Sequence, residues 1–193
     1  DVVHQTSQGL EVDITAAPVS SQLVDIKESL QLCETWKKLL SSLDPSTAVE
    51  RDPPISLSAE LREYQLDGFR WMMRLSNWGV GGCLADDMGL GKTVQALALM
   101  LNRIEEGPTL VIAPLSVGFN WQREASRFAP SLNVRLYRDS NRNEVLKEIG
   151  AGDVVIVSYA LFQRDAEKFW DVEWGTLVLD EAQNVKNAAT KTA

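Results

Sequence analysis

Apolar and polar residues follow two periods along this chain, and these periods predict alternating strands and helices. Short apolar runs predict strands near 82–85, 109–113, 133–137, 153–158 and 176–180. Apolar residues that recur every three or four positions predict helices near 92–104, 116–128, 142–149 and 160–169. Repeated strand–helix units predict an α/β fold, with a mostly parallel sheet and helices on both of its faces.

An amphipathic stripe before this region predicts an N-terminal helix that Asp44-Pro45 ends. Its apolar positions are Leu23, Ile26, Leu30, Cys33, Trp36, Leu40 and Leu43. The stripe either packs on its own domain or binds a partner. Residues 1–20 lack a clear period and are interpreted as an extended lead-in or as the tail of a preceding domain. The proline-rich linker Arg51-Asp52-Pro53-Pro54 predicts a domain boundary, with a helical extension over 1–55 and a larger domain over 56–193.

A second amphipathic helix is predicted after the linker. Ser58 is a candidate for its N-cap, and Asn77-Trp78-Gly79 is predicted to end it. Its stripe consists of Leu61, Gln65, Leu66, Phe69, Met72, Met73 and Leu75.

Composition narrows the classes of protein to which the chain can belong. An apolar content of 45% in 193 residues is typical of a globular protein, and no apolar run approaches the roughly 18 residues of a membrane span. The net charge of −8 argues against a generally basic nucleic-acid-binding surface, although it leaves room for a local basic groove. His4 is the only histidine, so a zinc site is not expected.

The cysteines and the N-terminus suggest a cellular compartment. Cys33 and Cys83 are the only cysteines and are predicted to be buried thiols rather than a disulfide, which suits a reducing compartment. No basic-then-apolar leader opens the chain, and Asp1 is not Met, so the true start of the protein is expected to be missing. We therefore expect a cytoplasmic protein, associated with the nucleoid if the source is bacterial.

A glycine-rich loop joins the predicted strand at 82–85 to the next helix. The loop reads Asp86-Asp87-Met88-Gly89-Leu90-Gly91-Lys92-Thr93, and a strand, a glycine loop and a helix in this order form a cradle for phosphate. Lys92 is expected to reach the β- and γ-phosphates of a nucleotide, and Thr93 to bind Mg²⁺. The general pattern has glycine in place of Asp86, so a simple tight turn stays an alternative for this stretch taken alone.

A pair of carboxylates follows the apolar run at 176–179, which is predicted to be a buried parallel strand. Open α/β sheets bind ligands at the carboxyl ends of such strands, so Asp180 is predicted to hold Mg²⁺ together with Thr93. Glu181 is predicted to polarise the attacking water. Taken alone, this motif could also be a strand that ends in solvated acids. Together with the glycine loop it predicts a nucleoside triphosphate site.

These motifs closely resemble those of the Swi/Snf-type ATPases, which are superfamily-two helicase-like DNA translocases. The Walker A variant at 86–93, with Asp86 in first place, is characteristic of that family. The segment Leu61-Arg62-Glu63-Tyr64-Gln65-Leu66-Asp67-Gly68 and the DEAQ box at 180–183 with Lys186-Asn187 complete the resemblance. It runs from about residue 57 to the end of the chain and is nearest to bacterial members.

The resemblance implies a RecA-like lobe that binds ATP and Mg²⁺. Gln65 matches the family glutamine that reads adenine, and its amide can pair with the N6/N7 edge of the base; a plain exposed polar residue is the alternative. Tyr64 and Arg62 flank Gln65 and are candidates to line the adenine pocket. The implied ATP-binding residues are Arg62, Gln65, Asp86, Asp87, Met88, Gly89, Leu90, Gly91, Lys92 and Thr93. The implied catalytic residues are Lys92, Asp180 and Glu181, and the implied Mg²⁺ ligands are Thr93 and Asp180.

Double-stranded DNA is the second partner that the resemblance implies. Family motifs match 110–114 with Ser116 and 155–159, and the loops after these strands contact the DNA backbone in the family. The candidate DNA contacts are Pro114, Ser116, Ser158 and Tyr159. Helix capping is an equal alternative for Ser116, and an ordinary strand-end turn for Ser158 and Tyr159. Trp121 is assigned to core packing rather than to base stacking.

The family's remaining motifs would lie beyond Ala193, which is 13 residues after Asp180. The resemblance places the arginine that completes the ATP site in a second lobe, so the isolated chain is expected to be nearly inactive while still holding ATP weakly. The implied cargo of the complete motor is a protein–DNA complex, and no membrane partner is expected. Two other functions stay open: a nucleotide-dependent regulatory switch, and an interaction module in residues 1–50.

Overall fold

The structure, a computed structural model, describes residues 3–6, 9–12, 51–138, 140, 142, 144–147 and 149–185. The chain divides into two compact units. One consists of Asp1–Arg51 with Arg70–Leu84, and the other of Asp52–Phe69 with Ala85–Ala193. The predicted N-terminal helix, with Cys33, lies outside the described residues. The predicted boundary near residue 55 stays a prediction.

A β-hairpin lies where the sequence predicts an extended lead-in. Strands β1 (Val3–Thr6) and β2 (Gly9–Val12) pair antiparallel, with Val3 opposite Val12 and Thr6 opposite Gly9. Strands of four residues are too short to show a clear period in the sequence, so the prediction missed them.

The first helix, α1 (Glu63–Asn77), ends as predicted but begins later than Ser58. Its first turn is closed by Gln65, whose side-chain oxygen accepts the main-chain N–H of Arg62 at 3.0 Å. The predicted N-cap is wrong because Ser58 lies well before Glu63, the first residue of the helix, and its main-chain N–H donates to the carbonyl of Phe128 at 2.7 Å. At the other end Gly79 adopts a left-handed φ of 69°, as helix C-caps often require.

The segment at 82–85 is not a strand, contrary to the prediction. Residues 80–87 have no regular secondary structure, and Cys83 is exposed rather than buried. Gly82 approaches α1 so closely that an added Cβ would meet the side chains of Leu75 and Trp71. Gly82 therefore serves close packing against a helix, and the apolar character of this run does not come from a sheet position.

The second unit is built on a four-stranded sheet in the order β4-β5-β3-β6, in which all neighbouring pairs are parallel. Its strands are β3 (Thr109–Ala113), β4 (Asn133–Leu136), β5 (Asp153–Ser158) and β6 (Thr176–Leu179). The helices of this unit are α2 (Lys92–Asn102), α3 (Gly118–Phe128), α4 (Tyr159–Arg164) and α5 (Ala166–Trp170). Within the described residues of this unit, short 3₁₀ helices cover Ile104–Glu106 and Ala182–Val185.

The core of this unit surrounds the two middle strands. All five residues of β3 and the first five of β5 are buried, as strands covered on both faces should be. Aromatic side chains pack on one side of these two strands. The centre of the Phe169 ring lies 5.0 Å from the centre of the Tyr137 ring and 5.2 Å from the centre of the Phe162 ring.

Three details differ from the predicted pattern. Strand β6 is not buried: Leu177 and Leu179, two residues apart and so on the same face of the sheet, are 58% and 41% exposed. Within the predicted helix at 142–149, residues 142 and 144–147 form turns and residue 149 has no regular structure. The predicted helix at 160–169 is divided in two at Asp165.

The helices in the described residues do not combine the length and apolar character that a bilayer crossing requires.

The core contains a buried side-chain amide whose effect on stability can be measured. Gln95 of α2 is fully buried, and neither its side-chain oxygen nor its nitrogen has a hydrogen-bond partner among the described residues. An unpaired buried polar group costs about 1–3 kcal/mol. We therefore expect Gln95→Leu to raise the free energy of unfolding by about 1 kcal/mol or more, measured by urea denaturation. Gln95→Glu should lower it, because burying an unpaired charge costs more. A Gln95→Leu variant less stable than the wild type would contradict this assignment.

A second prediction concerns the hydrogen bond that Tyr137 donates to Asp165 at 2.9 Å. Burial, and then the bond to the Asp165 carboxylate and its negative charge, raise the pKa of Tyr137 to about 12. The ordinary tyrosine pKa is about 10, so the folded state favours the neutral phenol. This contribution to stability is complete below about pH 10 and is lost as the pH rises towards 12. The unfolding free energy of Tyr137→Phe should therefore fall less than that of the wild type between pH 9 and 12. Parallel pH profiles would contradict the prediction.

Candidate functional site

The glycine loop forms an open turn directly before α2. Gly89 and Gly91 have left-handed φ angles of 86° and 76°, a conformation that glycine adopts without strain. Gly91 is the N-cap of α2 and makes no side-chain capping bond, so the N–H groups of the first turn keep their capacity for an anion. Met88 is 89% exposed at the tip of the loop. The loop therefore has the form that a phosphate group requires.

Lys92 folds back over this loop. Its ammonium group donates to the carbonyl of Asp86 at 2.7 Å and to that of Asp87 at 3.0 Å. Both partners are neutral main-chain oxygens. A phosphate can compete for the ammonium group because it carries full negative charge, which adds an ion-pair attraction that a neutral carbonyl does not offer.

Gln65 fastens the loop to the start of α1. Its side-chain nitrogen donates to the carbonyl of Leu90 at 3.0 Å, while its side-chain oxygen accepts from Arg62. The hydroxyl of Tyr64 donates to the same Leu90 carbonyl at 3.2 Å. Gln65 is only 8% exposed, so it is not the solvated polar residue of the alternative interpretation. Its predicted contact with adenine stays a prediction.

The carboxylate of Asp180 lies one residue beyond the end of β6. The main-chain N–H of Asp180 donates to the carbonyl of Ile112 at 2.8 Å, so its backbone continues the pairing with β3. One carboxylate oxygen accepts the N–H of Glu181 at 2.9 Å, and the other accepts the indole N–H of Trp121 at 2.8 Å. The pairing with β3 thus places Asp180 at the carboxyl edge of the sheet, and neighbouring hydrogen-bond donors fix the Asp180 side chain.

Glu181 has a strained backbone. Its φ of 52° is the only positive value among non-glycine residues in the described part of the chain. Its side chain is exposed and accepts a hydrogen bond from the amide of Gln183. Strain of this kind is often retained at functional sites, where it fixes the direction of a side chain.

The tyrosine after β5 contacts the same strand end. The hydroxyl of Tyr159 donates to the main-chain carbonyl of Asp180 at 2.7 Å. Burial, followed by the negative charges of Asp180 and Glu181, raises the pKa of Tyr159 above its ordinary value. The hydroxyl therefore stays a donor at neutral pH.

The predicted DNA contacts lie at the carboxyl edge of the sheet. Ala113 pairs with Ser158 across β3 and β5, so the segments that follow these two strands start side by side. The hydroxyl of Ser158 accepts the N–H of Leu161 at 3.3 Å and caps α4, a role that neither the DNA contact nor the strand-end turn considered for this residue included. Ser116 is exposed and does not cap α3, whose N-cap is Val117, so the capping alternative for Ser116 is wrong.

A cleft of about 310 Å³, including solvent at its mouth, opens beside these residues. Its lining includes Pro114, Ser158, Phe119 and Arg138. The Phe119 side chain is 61% exposed, and the guanidinium of Arg138 lies 4.5 Å from the centre of its ring. An arginine stacked on an exposed aromatic ring suits contact with a nucleic-acid backbone, because it offers both charge and a flat apolar face.

The residues present suit Mg²⁺ rather than a metal held wholly by protein. Thr93 and Asp180 offer oxygen donors, which Mg²⁺ prefers. The described residues contain no group of three or more His, Cys, Asp or Glu side chains able to hold a metal. Mg²⁺ in nucleotide sites takes one or two protein ligands and completes its shell with phosphate and water, so this donor set fits.

Sequence reasoning missed the hydrogen bond that Trp121 donates to Asp180. The pattern assigned this residue to core packing, and its side chain is indeed only 3% exposed. Its contact with Asp180 spans 59 positions of the chain, and no local pattern can indicate such a pair.

Comparison with known proteins identifies the family of the chain. The model of the SNF2-related domain matches residues 64–193. Over 166 residues the chain is 45% identical to YwqA of Bacillus subtilis (strain 168), a protein described as an ATP-dependent helicase/translocase. It is 40% identical over 159 residues to the chromatin-remodeling ATPase INO80 of Schizosaccharomyces pombe. These matches cover 80% and 74% of the chain, but only 18% and 10% of the two relatives.

A solved structure agrees with this family. The SWI2/SNF2 ATPase core of Sulfolobus solfataricus, determined in complex with double-stranded DNA, matches with a TM-score of 0.67 and 40% sequence identity. The match covers 75% of the chain and 30% of that structure. The predicted Swi/Snf-type resemblance and the RecA-like fold class are therefore confirmed.

The contact between Gln65 and the loop generates a prediction with a matched control. An added Cβ at Gly91 would collide with the Gln65 side-chain nitrogen, whereas at Gly89 it would meet nothing within 4 Å. Both glycines are left-handed, so Gly91→Ala and Gly89→Ala share a backbone penalty of about 1–2 kcal/mol. We expect Gly91→Ala to lower ATP affinity and the melting temperature more than Gly89→Ala does. Equal effects of the two changes would show that the Gln65 contact contributes nothing.

Proposed function

Because this chain belongs to the SNF2-related family, we propose that it is the ATP-binding lobe of a motor that couples ATP hydrolysis to movement along double-stranded DNA. The observation that carries this proposal is the pairing of two features in one unit. These are the glycine loop with Lys92 folded over it, and the Asp180 carboxylate fixed at the end of β6. A simple tight turn, the alternative for the glycine loop, would need neither the folded-back lysine nor the fixed carboxylate.

The loop residues would bind the phosphates. Lys92 would exchange its bonds to the Asp86 and Asp87 carbonyls for bonds to phosphate oxygens, and the first-turn N–H groups of α2 would hold the same oxygens. Gln65 would keep the loop in place through Leu90 while its helix borders the adenine side. The ammonium group offsets negative charge that grows on the phosphates during transfer.

The strand-end carboxylates would complete the site. Thr93 and Asp180 would hold Mg²⁺, and the bound ion would supply positive charge that compensates the charge of the phosphates. Glu181 would accept a proton from the attacking water and orient it towards the γ-phosphate. The fixed backbone of Glu181 supports this role, since a general base must be held in one direction.

Double-stranded DNA would bind at the carboxyl edge of the sheet, which is lined by Pro114, Ser158 and the stacked side chains of Phe119 and Arg138. These groups offer contacts to phosphate and sugar that position a duplex without reading its sequence. The DNA-bound structure of the Sulfolobus solfataricus relative supports this choice of partner. A protein–DNA complex would be the cargo.

Fast turnover is proposed to need protein outside these 193 residues. The chain covers 30% of the related ATPase core, and the family resemblance assigns the arginine that completes the ATP site to a second lobe. An arginine of this type changes turnover by about 10³–10⁵-fold. The isolated chain would then bind ATP but hydrolyse it very slowly.

The test is ATP hydrolysis by the complete protein with no nucleic acid, duplex DNA, single-stranded DNA or duplex RNA. We expect duplex DNA to stimulate turnover most. Lys92→Ala should abolish ATP binding, whereas Glu181→Gln should retain binding and lower kcat by about 10²–10⁴-fold, the usual contribution of a general base.

Matched controls are available on the surface of the same unit. Lys147→Ala and Glu167→Gln change exposed residues and should leave turnover unchanged. A rate indifferent to every nucleic acid would favour a nucleotide-dependent switch instead of a motor. Normal turnover in Glu181→Gln would remove that residue from the role of base.

A further inference from the structure

The Asp180 carboxylate is oriented by groups from outside its own loop. Trp121 comes from α3 and donates to one carboxylate oxygen at 2.8 Å. Tyr159 follows β5 and donates to the main-chain carbonyl of the same residue at 2.7 Å. The side chain and the peptide group of Asp180 are thus each held by a separate donor.

The choice of Trp121 as donor has a chemical consequence. A buried indole N–H needs one acceptor, and a neutral main-chain carbonyl would satisfy it. Trp174 is such a case, since its indole N–H donates to the carbonyl of Phe169 at 2.9 Å. Trp121 instead uses a carboxylate. The indole is neutral, so it orients this carboxylate and leaves the negative charge of the carboxylate available for a cation. A Lys or Arg side chain in the same place would compensate that charge.

The carboxylate also keeps room for a metal. An ionised carboxylate has about four lone-pair sites, and the bonds that Asp180 accepts within the described residues use one on each oxygen. Residues in the outer shell of metal sites commonly act in this way, holding a ligand in the rotamer that the metal needs.

From these contacts we infer that Trp121, with Tyr159, is a positioning residue that holds the Asp180 carboxylate ready for Mg²⁺. This inference rests on the proposed function, which makes Asp180 a Mg²⁺ ligand. Trp121 acts through the carboxylate itself, and Tyr159 through the peptide carbonyl at the end of β6. Removal of the indole N–H should therefore affect Mg²⁺ more strongly than removal of the phenol hydroxyl.

The test measures the Mg²⁺ requirement of ATP binding to the complete protein. A fluorescent ATP analogue is titrated at a series of Mg²⁺ concentrations and in EDTA. Trp121→Phe keeps an aromatic ring but removes the indole N–H. Trp174→Phe is the matched control, because the same change there removes a bond to a main-chain carbonyl away from Asp180.

For Trp121→Phe we expect the Mg²⁺ concentration at half-maximal binding to rise about 10- to 100-fold, the usual effect of losing an outer-shell partner. Affinity for the analogue in EDTA should stay at the wild-type value. Trp174→Phe should retain the wild-type Mg²⁺ requirement, and Tyr159→Phe should show a smaller rise. A residue that only fills space in the core would lower the melting temperature without this selective change.

A wild-type Mg²⁺ requirement in Trp121→Phe would overturn the inference. If Trp121→Phe does not fold, Tyr159→Phe provides the test. An unchanged Mg²⁺ requirement in Tyr159→Phe would then overturn the inference as well. The proposed function fails in a different way: the wild type itself would bind no ATP analogue, or would bind it independently of Mg²⁺. In that case the inference falls together with the site on which it rests.

Discussion

The site depends on the parallel pairing of β3 with a strand on each side. Ile112 lies opposite Leu179 of β6, and Ala113 lies opposite Ser158 of β5. Because these strands run in the same direction, their carboxyl ends reach one edge in register. Asp180 follows from this register, since its N–H continues the pairing with the Ile112 carbonyl. The backbone ladder therefore sets the position of the acidic motif before any side chain contributes.

Side chains then hold β6, which pairs on one side only among the described residues. At its start, Arg103 donates to the hydroxyl of Thr176 at 3.0 Å and to the carbonyl of Gly175 at 2.8 Å. At its end, Trp121 and Tyr159 bond to Asp180. Strand β6 is thus fixed at both ends, although Leu177 and Leu179 in between are partly exposed. An edge strand held in this way can present a carboxylate in one defined place.

The sequence predicted features that local chemistry determines, and missed those that distant contacts determine. The loop at 86–93 and four of the five proposed sheet strands have local signatures, namely closely spaced glycines and short apolar runs. The run at 82–85 has the same apolar character, but its glycine packs against a helix, and composition alone does not distinguish the two cases. The bond between Trp121 and Asp180 joins residues 59 positions apart, so it becomes visible only in the fold. The roles proposed for the site residues stay predictions.

The central claim is that ATP binds with its phosphates on the glycine loop, and the structure of the complete protein with Mg²⁺ and a non-hydrolysable ATP analogue tests it most directly. We expect Lys92 to leave the carbonyls of Asp86 and Asp87, which it now contacts at 2.7 and 3.0 Å, and to bond to phosphate oxygens at the first turn of α2. A nucleotide bound elsewhere, or a Lys92 still bonded to both carbonyls beside a bound nucleotide, would contradict the claim.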